Sequence, residues 1–262
     1  MKEQYFEKLL NIKTSGEQKI FNESLHYNRY EPTSYDVLEA MCSQYEFSKE
    51  DSLIDFGCGK GRLNFYLNYF LNIKVTGIEM NNFFFNECLG NKKSYLSQNK
   101  VKEDKLNFIN CFAERYPIDS KDNKFYFFNP FSEQIFIKVV GNILDSVSNH
   151  ERPVDIILYY PSDDYIYYLE NYTPFSLKKE IKIPNKYEYD SREKILIYEL
   201  SYLNLIYNTK KKRGFIYEWN YKLWFIVNLI CSSLFYSIFS FKAKKSKYPL
   251  SSRGNIYRYI IG

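Results

Sequence analysis

Apolar residues in this chain recur with two different periods, and the two alternate. Short apolar runs at 52–56, 74–79, 106–110, 124–129 and 154–160 have the length and the β-branched and aromatic content of buried strands. Between them lie longer stretches, 62–71, 81–98, 132–147 and 162–170, with apolar positions at helical spacing. Strand alternating with helix predicts a parallel sheet covered on both faces. Two further runs, 175–183 and 194–200, are joined by a polar loop without a helical period, which predicts an antiparallel hairpin closing the sheet. Upstream, Val37, Leu38, Met41 and Tyr45 follow Pro32 at helical spacing, with the proline in a first-turn position. The polar, mixed stretch 1–31 has room for one or two short helices. The fold class is therefore α/β, a doubly wound sheet, mostly parallel.

The first strand ends in Asp55 and runs into Gly57, Gly59 and Gly61 before a helical stretch. Such a turn lets a ligand approach the backbone and leaves unpaired N–H groups at a helix start. The spacing selects among ligands. A dinucleotide fingerprint has its third glycine three residues after the second, where the helix meets a pyrophosphate, and here that position is Arg62. Asp55 points into the same crevice, where a carboxylate repels phosphate and favours a cation. An oxidoreductase of the NAD type is therefore disfavoured.

The pattern Asp-x-Gly-x-Gly-x-Gly resembles motif I of class I S-adenosylmethionine-dependent methyltransferases, and the resemblance runs in order from Pro32 to about Leu200. It implies a Rossmann-like methyltransferase fold, with S-adenosyl-L-methionine as cofactor. In KVTGIEMNN, Glu79 stands where the family keeps an acid for the ribose hydroxyls. INCFAERYPI resembles the third motif, with Phe112 in place of the usual Asp; the resemblance carries over Ala113 and Glu114 as cofactor contacts. Phe112 is either a ring against the adenine or a core aromatic. FFNPF resembles the Asn-Pro-Pro-aromatic box of amino-methylating enzymes without its second proline, and so implies Asn129 and Phe131 on the substrate side. YNRYEPTSYDVLEAM is similar to the Tyr-x-Pro-Thr element of bacterial Dot1-related methyltransferases, which implies that Tyr30 and Thr33 cover the methionine end of the cofactor. A helix cap is the other reading of Thr33.

Charge separates a tail from this body. The net +5 divides into about +10 from residue 201 onward, where Glu218 is the one acid, and about −5 before it. Within the tail, 223–241 is an uncharged run of about 19 residues flanked by TKKKR and KAKKSK. Asn228, Ser232, Ser233, Ser237 and Ser240 form a polar stripe along it, and a single span would carry one basic cluster across the bilayer. A helix lying on anionic lipid through 210–247, a helix packed against protein, and a basic contact to nucleic acid all stay open. The chain thus reads as an N-terminal helical segment (1–31), a cofactor-binding domain (32–200) and a hydrophobic, basic helical extension (201–262).

The five cysteines, Cys42, Cys58, Cys88, Cys111 and Cys231, form no close pair, and the two histidines, His26 and His150, are too few for a His-based metal site. No metal is expected. Scattered thiols without an apolar leader point to the cytoplasm, with the tail allowing the inner face of the membrane. His26 is the one histidine near the motifs, and so the one candidate for a histidine base. The acceptor class stays open among lipid or glycan precursor, nucleic acid, protein and small molecule. So does a binding protein that keeps the cofactor fold without turnover, which the Phe112 substitution and the shortened FNPF box motivate.

Overall fold

The computed structural model describes residues 2–16, 28–99 and 103–200. The expectations for the tail, for His26 and for Cys231 lie outside the described residues.

Thirteen regular elements follow in chain order: α1 (Lys2–Leu10), α2 (Tyr35–Gln44), β1 (Ser52–Phe56), α3 (Arg62–Leu71), β2 (Lys74–Ile78), α4 (Asn82–Gln98), β3 (Leu106–Ile109), β4 (Lys124–Phe127), α5 (Glu133–Asn149), β5 (Asp155–Tyr159), α6 (Asp163–Tyr172), β6 (Phe175–Lys182) and β7 (Lys194–Leu200). Seven strands pair in the order β3-β2-β1-β4-β5-β7-β6. The first five are parallel, and β7 runs antiparallel to both β5 and β6. The strand–helix alternation and the closing hairpin match what the apolar periods predict.

The helix at 32–45 starts later than its proline suggests. Pro32 lies outside it, and extended Ser34 is the N-cap of α2. Two contacts hold the preceding segment away from helix: the Thr33 hydroxyl meets the Tyr126 hydroxyl at 2.9 Å, and Arg62 donates to the Thr33 carbonyl at 3.4 Å.

Successive strand residues divide between two cores, as the pleat requires. Leu53, Tyr126, Ile157 and Tyr159 join the core beneath α1, α2 and α3. Ile54, Phe56, Phe125, Phe127 and Ile156 join the one beneath α5 and α6. That second core is built from rings: Phe136 stacks on Tyr165 with centroids 3.7 Å apart and meets Phe127 edge-on at 5.1 Å. Ile143 on α5 is fully buried there, so Ile143→Val, read by urea unfolding, should cost about 0.5–1.5 kcal/mol.

At the N-terminal ends of the central strands a polar network fixes register. Lys124 lies 2.8 Å from Asp155, whose carboxylate also accepts from the Tyr45 hydroxyl. Asp122 accepts from the Ser52 and Tyr116 hydroxyls at 2.9 and 2.8 Å. The opposite ends of the same strands carry the site.

Candidate active site

Strand order reverses between β1 and β4, and open α/β sheets take ligands in the crevice outside the carboxyl ends at such a switch point. A cleft lies there, with a void of about 830 Å³ counting its open mouth. β1 and its turn contribute Asp55, Gly57 and Gly59; the end of β2 and the residue after it contribute Ile78 and Glu79; β4 contributes Tyr126.

The glycine turn closes by two bonds onto β2, from the Gly57 and Cys58 N–H groups to the Ile78 carbonyl at 2.9 and 3.1 Å. Gly59 takes φ +55, and a Cβ there would lie 2.1 Å from a ring carbon of Tyr30. Glycine is thus required twice over, by the backbone angle and by the ring seated on it. The Gly59 N–H donates to Glu79 at 2.9 Å, and the Asn81 N–H donates to the other oxygen of the same carboxylate at 2.8 Å. Glu79 is buried, which pushes its carboxyl up to about 7 against the pull of those backbone donors. A third backbone donor, from Met80, also serves this carboxylate, which leaves about one of its lone-pair sites for a further donor.

Asp55 is more deeply placed. Burial, then the neighbouring Glu79, push its carboxyl up to about 8. Its partner is Asn64 on α3, oriented so that the amide nitrogen donates to Asp55 at 2.8 Å and the amide oxygen accepts from Gly77 N–H at 3.3 Å. One neutral amide does not compensate a buried carboxylate, so the Asp55 carboxyl holds its proton to higher pH than an exposed one.

Arg62, the cation in the wall, is already committed. It contacts Glu3 at 2.7 Å, Thr14 Oγ1 at 2.7 Å and Glu7 at 3.5 Å, with its guanidinium 4.7 Å over the Tyr35 ring. These contacts bind α1 to the glycine turn.

A strap, 28–33, crosses from α1's side of the cleft to the end of β4. Asn28 donates through its backbone N–H to the Pro130 carbonyl at 2.9 Å and through its side chain to the Asn129 carbonyl at 2.7 Å. Tyr30 donates its hydroxyl to the Thr14 carbonyl at 2.8 Å and lies 4.7 Å from the Phe84 ring. Tyr30 and Thr33 both line the cleft; the Thr33 hydroxyl is spent on Tyr126 and caps no helix.

The remaining expected residues divide. Ala113, buried in the 3₁₀ turn Ala113–Arg115, lines the cleft. Glu114 is half-buried outside the lining, and its carbonyl accepts from Asn142 at 3.0 Å. Phe112 is exposed, with the Arg115 guanidinium 5.1 Å over its ring, and it too lies outside the lining. Asn129, at φ +41, stands between two lining residues without lining the cleft itself. Phe131 lines it but is 1% exposed, edge-on to Phe127 at 6.0 Å, so no open ring face is offered for stacking. His150 caps the far end of α5, exposed and away from the lining.

Residues 33–128 match the family described as "Methyltransferase domain". The matched stretch runs from just before α2 to the end of β4 and so contains the glycine turn, Asp55, Glu79 and Ala113. No curated protein matches the chain. Among solved structures, it resembles an RNA methyltransferase from Salinibacter ruber in complex with S-adenosyl-L-homocysteine, at 13% identity over 65% of this chain and 94% of that one, TM-score 0.44. It also resembles the PH0226 protein of Pyrococcus horikoshii OT3, at 13% identity over 63% and 89%, TM-score 0.47. A third is magnesium protoporphyrin IX methyltransferase from Synechocystis PCC 6803 with bound SAM, at 14% over 57% and 69%, TM-score 0.42. At these scores no residue role is transferred from them.

Three contributors escaped the sequence reading. Asn64 occupies a helical position that looks merely polar, and Asn28 lies in a stretch with no period. The commitment of Arg62 to α1 was signalled only by an acid pair, Glu3 and Glu7, at helical i,i+4 spacing. Among the described residues no cluster of His, Cys, Asp and Glu forms a metal site, and no helix is long and apolar enough to cross a membrane.

Proposed function

We propose that the chain is an S-adenosylmethionine-dependent methyltransferase. The observation that carries this reading is the pair of buried carboxyls, Asp55 and Glu79, at the switch-point cleft above a turn of three positive-φ glycines. When bound, this group supplies a methyl on a positively charged sulfur. Asp55 answers the charge, Glu79 accepts from a ribose hydroxyl, and the Ala113 turn closes the purine side. Tyr30 and Thr33, in the strap that resembles the Dot1-related element, cover the other end. The chain's contribution to rate is approach geometry and exclusion of water, since the leaving group is neutral.

A dinucleotide is disfavoured because two adjacent carboxyls line the cleft and Arg62 is already occupied by Glu3 and Glu7. Equilibrium dialysis with S-adenosylmethionine and with NADH separates the two: binding of the first alone is expected, and binding of the second alone overturns the reading. Incubation with methyl-labelled S-adenosylmethionine and lysate split into lipid, nucleic acid, protein and small-molecule fractions then reads turnover. Label in one fraction names the acceptor class; binding without label or homocysteine in any fraction favours a non-catalytic binder. The anionic-membrane role of 210–247 is a separate proposal resting on its charge, which vesicle co-sedimentation checks.

A further inference from the structure

The strap 28–33 walls the cleft without regular backbone pairing, whereas Asp55, Ile78 and Tyr126 sit in strands of the sheet. It is also a thin wall. On its outer side lies a second hollow, with a void of about 480 Å³ counting its mouth, and Glu31, Pro32 and Phe128 line both cavities. Beyond that partition the hollow reaches Tyr159 and Tyr160 at the end of β5. A segment with a void on each side has room to move and is held mainly by its polar contacts.

Those contacts differ at the two ends. At Thr33 they are buried: its hydroxyl meets that of buried Tyr126 at 2.9 Å, and the buried guanidinium of Arg62 reaches its carbonyl at 3.4 Å. The chain then enters α2, whose Tyr35, Val37 and Leu38 belong to the core. At Asn28 they are at the surface. The backbone N–H donates to the Pro130 carbonyl at 2.9 Å and the side-chain amide to the Asn129 carbonyl at 2.7 Å, both from an exposed residue. Surface hydrogen bonds exchange with water at little cost, so the strap is anchored at Thr33 and latched at Asn28.

Between its ends the strap lays Tyr30 on the glycine turn. The ring is seated on Gly59, where a Cβ would lie 2.1 Å from it, and it neighbours Phe84 of α4 at 4.7 Å. With these two rings in place Asp55 and Glu79 are only 5% and 7% exposed. A nucleoside-sized ligand reaches carboxyls that water barely touches only when a wall moves. The strap is the wall whose outer end is held at the surface and has a void behind it.

We infer that the strap is the gate of the cofactor cleft: it turns about Thr33 when the Asn28 latch releases, and the cofactor enters and leaves only then. The inference rests on the proposed function for the identity of the ligand. Asn28 acts through the strap, as a positioning residue.

The test follows S-adenosylhomocysteine on and off the captured full chain by surface plasmon resonance, with amide exchange of 28–33 read by mass spectrometry. Asn28→Ala removes the side-chain bond of the latch and leaves the backbone one. Losing one surface hydrogen bond should raise the open fraction about fivefold, with and without ligand alike. Association and dissociation are then each expected to quicken about fivefold while affinity stays within about twofold, because the closed strap still dominates in both states. A residue that merely supports the fold or touches the ligand would speed dissociation alone and lower affinity in proportion. That result overturns the gate, as does no change in either rate. The parent supplies a measurement that needs no variant: saturating S-adenosylhomocysteine should slow exchange of the strap amides several-fold, and exchange indifferent to the ligand overturns closure over it. Failure of the parent to bind S-adenosylhomocysteine overturns the proposed function itself, and the gate with it.

Discussion

Asp55→Asn should weaken S-adenosylmethionine binding by roughly a hundredfold and, in the same protein, stabilise the ligand-free fold at pH 8. Both effects have one origin. The Asp55 carboxyl is 5% exposed and pushed up to about 8 by burial and by Glu79, from an ordinary value of 3.8. Below about pH 4 folded and unfolded chains both hold the proton. Between about 4 and 8 the unfolded chain has lost it while the buried carboxyl keeps it, so the folded state binds more protons and its stability falls as pH rises. Above about 8 the penalty is complete, and a rise from 3.8 to about 8 corresponds to roughly 6 kcal/mol as an upper figure. Glu79, pushed up to about 7, adds a slope of the same sign that the variant retains. Asparagine occupies the same space, accepts from Asn64 and carries no charge to bury. A cationic ligand reverses the balance, because it restores to the carboxylate what desolvation removed. Removing that partner costs about 3 kcal/mol, or two decades in affinity. Thermal unfolding at pH 5 and pH 8, with a dialysis measurement of affinity, checks both. A variant that binds as tightly as the parent would remove the charge argument for the site; one with an unchanged pH slope would remove the burial argument.

Much of this arrangement is legible in the sequence because it is local. The β1 strand and the α3 helix take the spans their periodicity predicts, since each is short, apolar and punctuated by turn residues. Asp55 and the three glycines are legible for the same reason: a strand end, a turn and a helix start lie within ten residues. The strand ends at 110, 129 and 160 are not, because pairing stops where the neighbour stops. β3, β4 and β5 end at Ile109, Phe127 and Tyr159, and the residues beyond turn out of the sheet into the cleft and the hollow. The site's other contributors are non-local. Asn28 reaches Asn129 and Pro130 a hundred residues on, and Tyr159 reaches Glu193 across the hairpin. No periodicity marks such pairs, and Phe128, which serves two cavities, reads in sequence as one more aromatic in an aromatic strand.

Arg62→Met should destabilise the domain by about 3 kcal/mol in urea unfolding, and Arg62→Lys should recover little of it. Arg62 is the first residue of α3, directly after Gly61, and is 3% exposed. Its fork spans four partners that one ammonium cannot reach together: Glu3, Glu7, Thr14 and the Thr33 carbonyl, with the plane laid over Tyr35. Glu3 is 45% exposed and contributes little. Glu7 carries the weight, because its carboxylate also accepts from the Thr14 and Ser15 N–H groups at 2.7 and 3.0 Å and is left without its cation in the methionine variant. The double variant Glu7→Gln, Arg62→Met should therefore cost clearly less than the two single changes added, since the second change discharges the acid the first one orphaned. Strict additivity would mean that α1 packs by Phe6 and Leu10 alone and that the arginine is incidental. A tie between α1 and the glycine turn also bears on binding, because Thr14 anchors Tyr30 and the Thr33 carbonyl belongs to the strap. The expected secondary effect is a several-fold loss of cofactor affinity in Arg62→Met, in the direction set by a strap that closes over the cleft less of the time.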